Sequence, residues 1–430
     1  MIANILISLR YDMKLQTSLK ALFSLIPILL ISHQALATDG YFSHGYGVRS
    51  QGMGGVAIAL PQDALVAASN PAAIALLNDR ADIGLTWFQP IREAEISNAF
   101  AFPNGKFEGN ETKNFVIPEL GYIKHLNKDF TYGLAIYANG GMNTDYERPI
   151  FGTTRPGVDL AQLFFAPSLA WIVSENNVLA VKLNLAYQRF EARGLEGFAA
   201  FSSAPNNLTN KGHDSSYGAG LHLGWVGKLN DKLTLGATYQ SKTYMTKFDR
   251  YKGLFAEGGD FDIPAMYGLG VAFKATPELT VAADYQRILY SDVDSVGNSV
   301  QQFFTAGVAG RLGASQGAGF GWQDVSVFKI GASYAVTPEL TIRAGYNHTS
   351  QPIPRSEALF NVLAPGVVQD HVSLGATWKV NAQSDLSLAY THALDNTVRG
   401  NNAIPAQLGG GDVNLRMYQN ALSIAYSWNL

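Results

Sequence analysis

The chain has 430 residues, a formal net charge of −3 and only 15% charged residues, so it lacks both the basic surface of a nucleic-acid binder and the polarity of an ordinary soluble enzyme. It has no Cys, which removes disulfides and thiolate metal sites, while 43 Gly, 23 Phe and 20 Tyr favour strands and turns over amphipathic helices. No stretch reaches the ~18 consecutive apolar residues of a membrane-spanning helix, so helical spans are excluded.

At the start, Lys14 and Lys20 precede an apolar run from Ala21 to Ile31 and a small-residue site at Ala35-Leu36-Ala37. That is the pattern of a secretory signal peptide, residues 1–37, with translation beginning at Met1 or Met13 and the mature chain at Thr38. Residues 38–80 do not alternate. They read as Gly-rich turns followed by an Ala-rich helical stretch from Asp63 to Ser69, closed by Asn70-Pro71-Ala72, where the residue before Pro is pushed out of the helical region.

From residue 81 to 430 the chain settles into period-2 segments. Leu340, Ile342, Ala344 and Tyr346 share one face while Thr341, Arg343, Gly345 and Asn347 share the other, and the pattern repeats at Val372 to Lys379 and Leu386 to Thr391. A soluble β-sandwich would alternate in the same way; the connections discriminate. Short turns such as Leu126-Asn127-Lys128-Asp129 and Thr337-Pro338-Glu339 alternate with long Gly- and Pro-rich loops around 97–114, 141–159, 194–215, 247–263, 291–323, 350–369 and 395–416. Short periplasmic turns and long external loops predict an all-β fold, a transmembrane antiparallel β-barrel of about fourteen strands with both termini on the periplasmic side. Trp87, Tyr132, Trp171, Tyr187, Trp225, Tyr239, Tyr334, Trp378 and Tyr390 lie on the apolar face near strand ends, as interfacial girdles do, and the last strand alternates through Leu422, Ile424, Tyr426, Trp428 and Leu430. A barrel of this size has a lumen wide enough to need a plug, and residues 38–80 are the candidate hatch. The Gly-rich start of that segment, Gly45 to Gly55, predicts a mobile part of the fold.

Catalytic signatures are lacking. Gly52-x-Gly54-Gly55 is a poor match to a phosphate loop because no strand precedes it, and the eight His show no ligand spacing. No catalytic residue, metal or cofactor is therefore expected; a hydrolase built on a loop Ser with His213 or His348 is the minor alternative.

The run Gly47-Val48-Arg49-Ser50-Gln51-Gly52-Met53-Gly54-Gly55-Val56-Ala57, followed by Ala68-Ser69-Asn70-Pro71-Ala72, resembles the N-terminal hatch of the outer-membrane fatty acid and hydrocarbon transporters of the FadL and TodX type. Val116 to Leu120, Ile263 to Gly270, Trp322-Gln323-Asp324, Lys329 to Tyr334, and Leu340 to Tyr346 with Pro352-Ile353-Pro354 resemble later segments of that family, so the likeness covers nearly the whole mature chain. The resemblance implies a monomeric, fourteen-stranded outer-membrane barrel whose hatch, with Gly52, Gly54, Gly55, Asn70, Pro71 and Ala72 as its motif, blocks the lumen. It implies a kink in the third strand that lets ligand leave sideways. Here that strand is Thr131 to Ala138, and Asn139, Gly140 and Gly141 are the kink residues, unless they merely begin the loop. The function implied is passive, hatch-gated diffusion of hydrophobic compounds, long-chain fatty acids first, with aromatic or alkane hydrocarbons as the alternative and a general diffusion porin behind them. The partners are then a hydrophobic small molecule and outer-membrane lipid, with no nucleic acid.

A fatty acid needs a cation for its head. Alternation puts Lys182, Lys228, Lys274, Lys329, Arg343 and Lys379 on the lumen face. Lys329 and Arg343 lie mid-strand, about three residues apart in register or ~10 Å at ~3.3 Å per residue, and are the candidate carboxylate partners. The competing role is ion pairing with Asp284, Glu119 or the hatch.

Overall fold

The computed structural model describes residues 38–430, so the signal-peptide reading falls outside the described residues. Fourteen long strands form a closed antiparallel barrel. They are β1 (Arg80–Ser97), β2 (Phe115–His125), β3 (Phe130–Asp145), β4 (Gly157–Ser174), β5 (Asn177–Arg193), β6 (Asp214–Lys228), β7 (Leu233–Gln240), β8 (Met266–Lys274), β9 (Leu279–Ile288), β10 (Val325–Ala335), β11 (Leu340–Thr349), β12 (Asp370–Asn381), β13 (Ser384–Gly400) and β14 (Asp412–Asn429). The last strand returns to pair with the first, from Asp412 opposite Ser97 to Asn429 opposite Arg80, so closure leaves no free edge there. Among the described residues no helix is long and apolar enough to cross a membrane.

The alternation is realised inside out relative to a soluble protein. Leu221, Leu223, Leu269, Ile330, Leu374 and Leu422 are each at least half exposed on the outer face. On the opposite face Thr86, Ser168, Asn184, His222, Asp284, Ser373 and Ser423 are buried in the lumen. Such a band of large apolar side chains is stable only against lipid. Trp87, Trp171, Tyr239, Tyr334, Trp378 and Tyr390 are exposed on this outer surface, and Tyr132, Tyr187 and Trp225 are half-buried.

Residues 38–79 fill the lumen. Thr38–Asp39 and Phe42–Ser43 pair as a tight hairpin, and a helical turn follows at Val48–Gln51. The helix expected from Asp63 is shorter, Val66–Ser69, because Asp63 stays outside it and its carboxylate accepts the Leu65 N–H at 3.1 Å. Asn70 is extended, as its following Pro requires, and its side chain accepts the Ala72 N–H at 3.1 Å to start a 3-10 turn, Pro71–Leu76.

The hatch presses against wall positions that have no side chain. Gly331 on β10 stands opposite Gly345 on β11, and a Cβ at either would overlap Met53 of the hatch. The Gly-rich start is thereby held rather than mobile. Val48, Met53 and Val56 are buried, and the Gly47 N–H donates to Glu119 Oε2 at 3.0 Å. The Ala57 and Ile58 N–H groups donate to Asp284 Oδ2 at 2.7 and 3.0 Å, the Gly54 N–H donates to Ser373 at 2.7 Å, and Arg49 pairs with Asp385 at 2.8 Å. Glycine content predicts looseness only where nothing packs on it, and here the wall does.

Candidate ligand path

The external loops carry aromatic residues that a solvated loop has no use for, and these line a succession of apolar spaces. The outermost is a groove of about 1350 Å³, open to solvent, with Phe100, Phe102, Phe151, Phe198, Phe201 and Leu408 on its walls. Phe198 is shared with a second, narrow cavity inside the barrel mouth, lined by Val158, Phe190, Phe255, Leu312, Phe320 and Phe360 among others. Ser295 is its one polar lining side chain, and that hydroxyl already donates to the Asp260 carbonyl at 2.5 Å.

A third, narrow cavity lies against the wall. Phe88, Pro90 and Arg92 of β1, Met142 and Asn143 of β3, Met417 of β14, Tyr41 of the hatch and Trp322 line it. Trp322 connects it to the second cavity: its ring centroid is 6.5 Å from that of Phe320 and 5.8 Å from that of Tyr41. Leu363 borders the second cavity and Ala364 the third.

Beside this third cavity the wall is discontinuous. The β2–β3 ladder ends at Leu120 opposite Ile136, although β2 begins at Phe115 and β3 continues to Asp145. On its other edge β3 stays paired with β4, but the register shifts between Ala138 and Gly140, leaving Asn139 as a bulge. Asn139, Gly140 and Gly141 therefore lie within the strand rather than beginning the loop. The freed edge is met by the hatch: Phe42 pairs with Gly140, and the Gly141 N–H donates to the Tyr41 carbonyl at 3.1 Å. Only Gly fits at 140, because a Cβ there would collide with that Tyr41 carbonyl. Asn139 is buried, donates to Gln162 at 3.1 Å and accepts from Tyr46 at 3.2 Å. Higher up, the loop carrying Gly109 and Glu111 bonds to the backbone of Asp145.

Lys329 and Arg343 stand elsewhere. Lys329 faces Asn347, four positions beyond Arg343, so they lie one residue further apart than expected. Neither borders the groove or the two inner cavities. Lys329 Nζ donates to the His44 carbonyl at 2.7 Å and lies 3.3 Å from Asp39 of the hatch. Burial alone would raise the Asp39 carboxyl, but Lys329 first and then His371 and Thr349 pull it below the usual carboxylate range. Arg343 donates to Gln62 of the hatch and to Thr377, each at 2.7 Å. Lys228, Lys274 and Lys379 are exposed at the short-turn end, as their positions predict, whereas Lys182 is fully buried and donates to the Ala68 carbonyl at 3.2 Å and to Tyr137 at 3.0 Å. His213 and His348 bond carboxylates, of Asp159 at 2.9 Å and Asp370 at 2.7 Å. Of the hatch motif, Gly54 and Gly55 have φ of 71° and 80°, and Asn70 ties the hatch to the wall by donating to the Trp225 carbonyl at 3.0 Å.

Residues 29–430 match the model of a family described as outer membrane protein transport protein (OMPP1/FadL/TodX). Among curated proteins, a 47 kDa outer membrane protein of Pasteurella multocida is 23% identical over 83% of this chain and 89% of its own length. Outer membrane protein P1 of Haemophilus influenzae is 22% identical over 64% of this chain and 65% of its own. Two solved structures share the fold. The toluene transporter TodX of P. putida aligns with a TM-score of 0.69 at 19% identity, covering 90% of this chain and 99% of that one. A FadL homologue of Pseudomonas aeruginosa aligns with a TM-score of 0.69 at 17% identity, covering 91% and 99%.

Proposed function

The chain belongs to this family of outer-membrane transport proteins, and we propose that it carries hydrophobic compounds, long-chain fatty acids first among them, by passive diffusion from the external groove through the two inner cavities and sideways into the membrane. The observation that carries this reading is the wall seam, where β3 runs on without β2 beyond Leu120–Ile136 and its Gly141, Met142 and Asn143 line the third cavity. A greasy ligand gains ~0.8 kcal/mol per CH₂ on leaving water, so a succession of apolar spaces ending in lipid is downhill without a pump. The cavities are narrow and consecutive, which suits a flexible chain that threads from one to the next. The passage needs neither catalysis nor a cofactor, and Lys329 and Arg343 act in it as anchors of the hatch.

A second reading, uptake of aromatic or alkane hydrocarbons, is favoured by the second cavity, whose lining has no charged side chain. A deletion strain complemented with this chain separates the two: regained growth on oleate supports fatty acids, and regained growth on toluene or an alkane alone moves the substrate to hydrocarbons. Large, steady ion conductance of the purified protein in planar bilayers would reject both in favour of an open porin.

A further inference from the structure

On β1 the even-numbered positions face inward, and position 92 places there an Arg that is 1% exposed. Its guanidinium reaches across the seam to β3. Nη1 donates to the backbone and side-chain oxygens of Asn143 at 2.5 and 3.2 Å, and Nη2 donates to the Thr112 carbonyl at 2.6 Å. All three acceptors are uncharged, and Nε is buried with no acceptor among the described residues. Arg49, Arg80 and Arg189, which are also largely buried, each face a carboxylate. Asp145, two positions beyond Asn143, is already held by Arg193 at 3.1 Å and the Thr112 hydroxyl at 2.8 Å. Arg343 likewise lacks a carboxylate, but it borders neither inner cavity, whereas Arg92 lines the third.

A buried cation that keeps an unsatisfied donor is costly unless something anionic joins it. The rest of the cavity, Tyr41, Phe88, Pro90, Met142, Trp322 and Met417, is suited to a hydrocarbon tail. We infer that Arg92 is the anion site of the exit cavity, holding the carboxylate of an amphiphile whose tail lies along these side chains toward the seam. The planar fork of a guanidinium matches a carboxylate. The inference rests on the proposed passage of amphiphiles and gives that passage a last polar contact before lipid.

The test is calorimetry on the purified, refolded barrel with two ligand pairs that differ only in charge, oleate against oleyl alcohol and benzoate against toluene. Arg92→Gln should weaken oleate by about 10- to 150-fold, the worth of a charge-assisted contact, and leave oleyl alcohol within about twofold. Arg92→Lys should recover part of the loss, and the heat-modifiable gel shift of both variants shows whether the barrel has folded. Equal loss for oleate and oleyl alcohol, or no loss for either, overturns the site. If the wild type binds neither long-chain ligand the fatty acid reading fails, and benzoate binding that depends on Arg92 would still establish the site. A phospholipid that displaces bound benzoate where oleate does not would assign Arg92 to a lipid head group and overturn the carboxylate assignment.

Discussion

Two seams of this barrel are built oppositely. Between β14 and β1 the ladder is continuous from one rim to the other, from Asp412 opposite Ser97 to Asn429 opposite Arg80. Between β2 and β3 the ladder gives out at Leu120–Ile136, and what closes the remainder is borrowed: the backbone of Tyr41 and Phe42, the guanidinium of Arg92 and the Gly109–Glu111 loop. A barrel in lipid must satisfy every backbone donor and acceptor internally. A break in its wall is therefore tolerable only where other groups stand in for the missing strand. These substitutes can be displaced one by one, whereas a ladder opens only as a unit.

The strongest way to break the contrast is to repair the weak seam. Deleting Asn139 removes the bulged residue and returns β3 to a register in which its upper half can pair regularly. Oleate uptake by cells should fall to that of a strain lacking the protein, while oleate affinity of the purified barrel stays within about threefold of wild type, a change of under ~1 kcal/mol. Unchanged uptake would mean that ligand leaves by another route, most simply down the lumen.

A smaller effect is expected from the hatch anchors. Lys329→Ala leaves Asp39 buried without its cation, which costs about 3–5 kcal/mol of local stability. The variant should show raised ion conductance in planar bilayers as the hatch loosens, with oleate affinity little changed. If Lys329→Ala and Arg343→Ala instead weaken oleate about 10- to 150-fold with no leak, the two cations bind the ligand carboxylate after all. Acid should mimic the loosening in the unaltered protein. The Asp39 carboxyl titrates below its ordinary 3.8, so the stability it supplies is present above that pH and is lost as pH falls further.

The wall was readable because membrane strands repeat with period 2. Leu374, Trp378 and Leu388 could be placed on the lipid face from spacing alone, and the same spacing put Lys329 and Arg343 in the lumen. The site was less readable. Phe198, Phe255 and Phe320 lie in loops with no period, so nothing in their spacing tells a cavity wall from a solvated turn. Arg92 sits in a segment where β1 has lost β2 as its neighbour, and its burial depends on Asn143, which is 51 residues away in the chain. The hatch misled for a related reason. Gly52 and Gly54 look mobile alone, and only Gly331, Gly345 and Gly375 on the facing strands show that this turn is a point of close approach.

The smallest effect tests whether the strong region must move at all. Val48 of the hatch packs with Ala389 of β13 and Ala425 of β14 in one small cluster, well away from the seam. Cys placed at 48 and at 389, or at 48 and at 425, in a chain with no Cys of its own can tie the hatch to the wall at its most ordered point. If ligand leaves through the seam above the hatch, the oxidised protein should take up oleate at the wild-type rate and reductant should change nothing. The hairpin at Thr38–Ser43 and the Tyr46 hydroxyl on Asn139 are the parts of the N-terminal segment that this exit requires to yield, and the crosslink ties neither of them. Uptake that stops on oxidation and returns on reduction would show that the whole hatch swings, and the ordered contacts of Glu119, Asp284 and Ser373 would then have to break in every transport cycle.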